Sequence, residues 1–178
     1  MILNVMNEDK NRQILHDRAL VLAKEYSTVG EHTQWIEVTT FRLGGELYAL
    51  ESEMIREIIP LKEFTPLPGL PQFIAGIMNL RGKILSLLDL HNLFGLTGES
   101  VGKDCKVVVL SNDKMEFGIM TDSINGIERI VPSALQMDVS VLGTTVKKYL
   151  RGLTAERLIL LDAVKLLSDP ALLVNEEI

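Results

Sequence analysis

The chain has 178 residues, 47% of them hydrophobic, and a formal net charge of −6, which suits one ordinary domain or two small fused units. Its basic residues are scattered, which argues against a nucleic-acid partner, and no apolar run approaches the roughly 20 residues of a membrane span. The amino terminus lacks a signal-peptide pattern, and the single cysteine, Cys105, allows no internal disulfide, so we expect a soluble cytoplasmic protein.

Residues 1–34 differ from the rest of the chain. Between residues 11 and 25, apolar side chains recur at helical spacing, which predicts an amphipathic helix. Residues 27–33, with Gly30, are predicted to be a linker. The helix either packs on the main body or docks into the groove of a partner.

The main body begins at Trp35 with a predicted hairpin. Residues 35–43 are rich in β-branched and aromatic residues, Gly44-Gly45 is a strong turn signal, and residues 47–50 form the return strand. Residues 51–57 are predicted to contain one helical turn capped by Ser52, leading into another strand. Four prolines then exclude regular structure across residues 60–71.

A second predicted hairpin joins the apolar residues 77–80 to residues 83–90 through Arg81-Gly82. Because the return strand is almost wholly apolar, both of its faces should be buried. Asn79 and Arg81 are polar residues within this apolar hairpin, and burying such groups without partners is costly. Either they brace the fold through internal hydrogen bonds, or they face a surface that another molecule covers.

A second round of similar elements starts at Lys106. Residues 107–110 and 115–120 are predicted strands around a turn, and residues 122–130 should repeat the helical turn and exit strand. A final hairpin is expected over residues 149–153 and 157–161, followed by a short closing helix to residue 168.

The two rounds align as an internal repeat. Tyr48 and Phe117 are 69 positions apart (117 − 48), and Ile58 and Ile127 share that offset. Leu-Arg-Gly occurs at residues 80–82 and again at residues 150–152. Each unit holds about five short strands, which close most simply into a small barrel. Units of this size are marginal alone, so we expect two small barrels that share a core and have a groove at their junction.

Catalytic chemistry has little support. His16, His32 and His91 have no ligand-like spacing, and no phosphate-binding glycine loop is present, so we expect neither a metal nor a cofactor. Cys105 is predicted to be an apolar filler and not a nucleophile. Asp89 and Asp162, at equivalent strand ends, are predicted to cap helices and not to form an acid–base pair. These features favour an interaction module without catalytic residues.

The body resembles the CheW-like domain family of bacterial chemosensory adaptors over roughly residues 35–168. The second half contributes Phe117-Gly118-Ile119, Asp122, Leu150-Arg151-Gly152 and the Leu-Leu-Asp at residues 160–162. The motifs of the first half are Phe41-x-Leu43-Gly44-Gly45-x-x-Tyr48-Ala49-Leu50, Ile55-x-Glu57-Ile58-Ile59, Pro66-Leu67-Pro68-Gly69-x-Pro71-x-Phe73-Ile74-x-Gly76-Ile77-x-Asn79-Leu80-Arg81-Gly82 and Leu88-Asp89-Leu90.

The resemblance implies an all-β fold of two five-stranded SH3-like barrels with short connecting helices, spanning residues 35–170 between the amino-terminal extension and a tail at 171–178. It also implies a non-enzymatic adaptor that links the cytoplasmic tip of a chemoreceptor, a helical hairpin, to the regulatory domain of a histidine autokinase. The implied receptor-binding residues are Ile55, Glu57, Gly76, Asn79, Arg81 and Gly82. The implied kinase-binding residues, carried over by region only, are Lys106, Val108, Phe117 and Ile119.

Other functions stay open from the sequence. A double barrel can hold a small molecule in its inter-barrel groove, and a hydrolase that uses Cys105 is a remote option. Similar adaptors serve flagellar chemotaxis and twitching-type pathways, and the residues do not choose between them. One local hypothesis is that Glu57 holds Arg81 in place in the free protein.

Overall fold

A computed structural model of the chain describes residues 34–97, 105–137 and 142–172. Contacts divide the chain between Gln34 and Trp35, and the description below concerns the second unit alone. The predicted amino-terminal helix and its linker lie outside the described residues, as does the tail beyond residue 172.

Short strands dominate the described residues. They include three α-helices, α1 (Leu90–Phe94), α2 (Thr144–Lys148) and α3 (Ala163–Ser168), and three 3₁₀ helices at Ser52–Met54, Pro132–Ala134 and Pro170–Leu172. The strands are β1 (Ile36–Leu43), β2 (Glu46–Glu51), β3 (Ile55–Pro60), β4 (Ile74–Leu80), β5 (Lys83–Asp89), β6 (Lys106–Ser111), β7 (Glu116–Thr121), β8 (Ser123–Ile130), β9 (Leu150–Leu153) and β10 (Ile159–Leu161).

The strands form two five-stranded sheets, as predicted. Sheet A has the order β8-β1-β2-β10-β9, and sheet B has the order β3-β6-β7-β5-β4. Exchanging each strand of β1–β5 with its counterpart in β6–β10, β1 with β6 and so on, converts one order into the other, so the two predicted repeats have equivalent strand arrangements. The expectation that each repeat closes its own barrel is wrong, because each sheet combines the first two strands of one repeat with the last three of the other.

The strand register supports the 69-residue offset. Phe41 pairs with Tyr48 in sheet A, and Leu110 pairs with Phe117 at the same place in sheet B. Ile127 likewise lies opposite Thr39, as Ile58 lies opposite Val108. The offset therefore holds for the first three strands of each repeat.

The predicted equivalence of the two Leu-Arg-Gly motifs is wrong. Asp89 donates its backbone N–H to Phe73, and Asp162 donates its own to Tyr149, each at 2.7 Å. Phe73 and Tyr149 accept these bonds and therefore hold equivalent positions, 76 residues apart (149 − 73). Residues 74–76, Ile-Ala-Gly, are thus the counterparts of residues 150–152. Arg81 lies in a turn, whereas Arg151 lies inside β9.

Three apolar clusters account for the packing. The largest joins both sheets, so the barrels share a core, as expected for units too small to be stable alone. A smaller cluster lies inside each barrel. The cluster inside barrel B, formed by sheet B, contains Met78, Leu85, Leu87, Cys105, Val107, Val109 and Met120, and the cluster inside barrel A contains Val38, Ala49, Ile130, Leu158 and Leu160.

Local predictions succeed where a side chain bonds to its own segment. The Asp89 carboxylate accepts from the backbone N–H groups of His91 and Asn92, and Asp162 accepts from that of Lys165, so both cap helices as predicted. The predicted Ser52 cap is wrong, because its hydroxyl lies 3.0 Å from that of Thr39 instead. The helical turn predicted after residue 122 is also wrong, since β8 begins at once.

Candidate functional site

The β4–β5 hairpin carries the most prominent candidate residues. Beyond the Ile77–Ser86 pair its ladder continues for three more pairs, whereas the equivalent hairpin of barrel A ends at the Leu153–Ile159 pair. The additional pairs form an arm, residues 78–85, whose counterpart in barrel A is the shorter turn at residues 154–158, where the Thr154 N–H donates to the Leu158 carbonyl at 3.0 Å. Its tip is exposed: the prediction that both faces of β5 are buried holds for Leu85 and for Leu87 onward, but Ser86 is only half-buried and the prediction fails at Lys83 and Ile84.

The tip of the arm is held by its own polar groups. Arg81 and Gly82 have φ angles of 53° and 86°, a conformation that a glycine adopts without strain. The Asn79 side-chain oxygen accepts the Gly82 N–H at 2.8 Å. Asn79 therefore stabilises the turn through an internal hydrogen bond, and it remains exposed to solvent.

Arg81 is paired with Glu57, as the sequence hypothesis proposed. Its guanidinium nitrogens lie 2.9 and 3.5 Å from the two carboxylate oxygens. Glu57 lies on β3 and Arg81 follows β4, and these are the two edge strands of sheet B, so the ion pair spans the opening of barrel B. The Arg81 side chain remains 76% exposed, against 18% for Glu57. Its guanidinium is therefore held in place yet accessible.

A small cleft lies beside this ion pair. It is lined by Glu57, Arg81 and Ile84 together with a second ion pair, Arg56 with Glu116. Its volume is about 80 Å³, well below the roughly 300–1,000 Å³ of small-molecule sites. All lining residues belong to sheet B or its turns, so this cleft is not the predicted groove at the barrel junction.

Gly76 has a structural task in the same barrel. Its φ is 150°, and a Cβ there would lie 2.2 Å from the Thr65 carbonyl oxygen. Thr65 and Ile77 exchange two backbone hydrogen bonds of 2.8 and 2.9 Å across this contact. The glycine thus lets the proline-rich segment approach β4 and close barrel B, and it is itself buried.

Exposed apolar side chains on the edge strands β3 and β8 were only partly predicted from the sequence. Ile55 is half-buried against the shared core, whereas Ile58 is 39% exposed and its repeat counterpart Ile127 is 67% exposed. Ile127 lies opposite Thr39, which bonds to Ser52 just before β3. The shared repeat offset of Ile58 and Ile127 was the available signal, but periodicity alone does not separate an exposed isoleucine from a core one.

The second group of candidate residues belongs mostly to the core. Val108, Phe117 and Ile119 are at most 2% exposed and pack in the cluster that joins the sheets. Because these side chains are buried in the folded domain, the kinase-binding role implied for them stays a prediction about this region and not about direct contact by the three side chains. Lys106 is half-exposed at the start of β6. All four lie on sheet B, as the first group does.

Cys105 and Tyr48 are titratable groups whose pKa is raised. Burial raises the pKa of the Cys105 thiol, which disfavours the thiolate that a nucleophile requires. Cys105 is 4% exposed inside barrel B, consistent with its predicted role as a filler. Burial also raises the pKa of Tyr48, whose hydroxyl donates to Glu46 at 3.0 Å.

Among the described residues, no group of three or more His, Cys, Asp or Glu side chains is close enough to hold a metal ion. A separate search of the same part of the chain finds no helix with the length and apolar character to cross a membrane.

The fold is thus a double β-barrel module in which sheet B carries an exposed, ion-paired arm. The model of the CheW-like domain matches residues 37–171. The chain belongs to the CheW-like domain family, and its role is that of a chemotaxis coupling adaptor.

Named relatives agree with this membership. The chain is 33% identical to the chemotaxis protein CheW of Klebsiella aerogenes over 145 residues, which cover 80% of this chain and 84% of that protein. It is 27% identical to CheW of Thermotoga maritima, covering 80% and 94%. The crystal structure of the scaffolding protein TtCheW from Thermoanaerobacter tengcongensis superposes with a TM-score of 0.65 at 26% identity, covering 74% of this chain and 87% of that chain.

Proposed function

We propose that this adaptor joins the cytoplasmic tip of a chemoreceptor to the regulatory domain of a chemotaxis histidine kinase and performs no chemistry itself. The observation that supports it best is the β4–β5 arm of barrel B, which is longer than the equivalent hairpin of barrel A and presents Arg81. This role places the protein in the cytoplasm beside membrane-anchored receptor arrays.

The receptor surface in this proposal combines apolar anchors with one oriented cation. Ile55, Ile58 and Ile127 offer exposed or half-exposed apolar area to one face of an amphipathic helix. Arg81 presents a planar set of donors that suits carboxylate or carbonyl oxygens on that helix. Because Glu57 already orients the guanidinium, less side-chain entropy is lost on binding. Glu57, Asn79, Gly76 and Gly82 act by shaping the arm and the barrel that carries it.

The kinase surface in this proposal lies on the β6–β7 side of sheet B. Since Val108, Phe117 and Ile119 are buried, the contact falls to exposed neighbours in the same region. Those neighbours are Lys106 at one end of the hairpin and the turn at residues 112–114 at the other. The buried side chains support the strands beneath them.

The first test replaces Arg81 by alanine and measures binding to a receptor-tip fragment by calorimetry. We expect binding to weaken about tenfold or more, because an accessible, oriented cation is lost. The free energy of unfolding should change by no more than about 1 kcal/mol, since an exposed ion pair contributes little to stability.

Arg157→Ala is the matched control. Arg157 is also an exposed arginine at positive φ, 65°, in the β9–β10 turn of barrel A. We expect this variant to bind the fragment like the wild type. Equal weakening by both substitutions, or a loss of several kcal/mol of stability in Arg81→Ala, would rule out the proposed role of Arg81.

A further inference from the structure

The chain crosses between the two sheets at two places, and the repeat makes them equivalent. It passes from β2 of sheet A to β3 of sheet B through Ser52–Met54, and from β7 of sheet B to β8 of sheet A through Asp122. Glu53 and Asp122 are 69 positions apart (122 − 53) and hold the same place in the repeat. The two crossings nevertheless differ in how they are bonded.

Asp122 is bonded to elements of both barrels. One carboxylate oxygen lies 2.8 Å from His91 Nε2, on the helix that follows β5, and the other accepts the Gly44 N–H at 2.9 Å, in the β1–β2 turn. Its own backbone N–H donates to the Arg42 carbonyl at 3.0 Å. A single residue at the crossing therefore connects helix α1, after sheet B, to the first hairpin of sheet A.

The His91 side chain is built into this connection. It is 4% exposed, and its backbone N–H is held by Asp89. Because a carboxylate only accepts, Nε2 carries the proton that it donates to Asp122. Nδ1 is buried and has no hydrogen-bond partner among the described residues, so the contact with Asp122 is the one that orients the ring.

Among the described residues, the equivalent crossing at Ser52–Met54 has no such connection. Glu53 is exposed and forms no ion pair within the described part of the chain. Val164, which follows the Asp162 cap as His91 follows Asp89, is 58% exposed. The repeat thus supplies an internal comparison, in which one crossing is bonded to both barrels and the other is not.

We propose that Asp122 and His91 are positioning residues that set the orientation of barrel A relative to barrel B. The core between the barrels is apolar, and apolar contacts are not directional, so they permit small rotations. Hydrogen bonds near 2.8 Å require a narrow range of angles and therefore select one orientation. The Gly44 turn also contacts the segment after α1, where a Cβ on Gly44 would lie 3.3 Å from Leu96 Cβ.

This orientation bears on binding, and that part of the inference rests on the proposed function. The proposed receptor surface takes Ile55 and Ile58 from sheet B but Ile127 from sheet A. A change of barrel orientation displaces Ile127 relative to the other two. The kinase candidates all lie on sheet B, so their mutual geometry does not depend on it.

The experiment measures residual dipolar couplings of backbone amides in each barrel. For the wild type, we expect one alignment tensor to fit both barrels. For Asp122→Ala, which removes both acceptors, and for His91→Leu, each barrel should fit its own tensor, with the two rotated relative to one another. Glu53→Ala at the equivalent crossing and His91→Gln, which keeps a donor near the Nε2 position, should behave like the wild type.

A single tensor that fits Asp122→Ala and His91→Leu as well as it fits the wild type would overturn the inference, whatever the binding data show. If Asp122→Ala fails to fold, the comparison of His91→Leu with His91→Gln decides. In the binding arm, we expect the receptor-tip fragment to bind Asp122→Ala about tenfold more weakly, with kinase-domain binding unchanged. If the barrels are rotated in Asp122→Ala and His91→Leu but the wild type does not bind the receptor tip, the positioning role is upheld and the proposed function is refuted.

Discussion

At the scale of single residues, Asp169 shows how one buried carboxylate secures the end of the domain. It accepts the Tyr149 hydroxyl at 2.5 Å and the Ala171 N–H at 2.9 Å, and it pairs with Lys148. Burial alone would raise the pKa of this carboxyl, but the hydrogen bonds from Lys148, Tyr149 and Ala171 lower it below its usual value. Burial and the bond to Asp169 raise the pKa of Tyr149 to about 12.

A pH-dependent contribution to stability follows from the lowered pKa of Asp169. A carboxyl whose pKa is lower in the folded than in the unfolded state stabilises the fold above its unfolded pKa, and that stability is lost as pH falls through the folded pKa. We expect Asp169→Asn to reduce the free energy of unfolding by about 1–3 kcal/mol at pH 7, since the Tyr149 hydroxyl loses a charged acceptor. Urea denaturation at pH 7 and at pH 3 measures the difference, which should shrink at the lower pH.

Asp113→Asn is the control for this measurement, because Asp113 is an exposed carboxylate in the β6–β7 turn. The free energy of unfolding of Asp113→Asn should match that of the wild type at both pH 7 and pH 3. An Asp169→Asn deficit that is the same at pH 3 and pH 7 would contradict the electrostatic explanation.

At the scale of elements, two glycines with nearly the same backbone angle have different surroundings. Gly76 has φ 150°, and a Cβ added there would lie 2.2 Å from the Thr65 carbonyl oxygen. Gly126 has φ 152°, and a Cβ added there would have no atom of a residue beyond its chain neighbours within 4 Å. The first closes barrel B against the proline-rich segment. The second lies in β8, where Thr40 Oγ1 donates to its carbonyl at 3.2 Å.

We expect Gly126→Ala to cost about 1–3 kcal/mol of stability, from the backbone conformation alone. Gly76→Ala should cost clearly more, because it adds a clash with backbone atoms that have no flexible end to move. Chemical denaturation measures the loss in free energy of unfolding for each variant, and the difference between the two losses is the cost of the clash. Equal losses in both would show that the segment at Thr65 shifts freely and does not close the barrel.

The elements also show where local patterns were sufficient. The Gly44-Gly45 turn and the β4–β5 hairpin follow from turn residues and apolar runs, and both form as predicted. The failure at residue 122 has a long-range cause, because Asp122 bonds to Gly44 and His91, 78 and 31 positions away in the chain. A pattern of neighbours contains no information on such partners.

At the scale of the whole molecule, the exchange of strands between repeats makes the barrels interdependent. Barrel B needs β3, β4 and β5 from the first repeat and β6 and β7 from the second. Since the largest cluster also joins both sheets, neither repeat can bury its apolar surface alone.

We therefore expect residues 35–97 and 105–172, produced as separate fragments, to be unfolded, and an equimolar mixture to recover β structure. Circular dichroism and amide chemical-shift dispersion measure both states. The intact chain should unfold in one cooperative transition. A fragment that folds alone would contradict the interdependence of the two barrels.

The sequence by itself determined the strands, their turns, the helix caps at Asp89 and Asp162 and the existence of a repeat, because these depend on residues close together in the chain or on a fixed spacing. It also indicated Arg81 and its partner Glu57. Only the tertiary structure decided which repeat supplies each strand of a barrel, that Val108, Phe117 and Ile119 are buried, and that Asp122 joins both barrels. These outcomes depend on contacts between residues distant in the chain, and the free energy of such contacts is set by three-dimensional packing and not by local pattern.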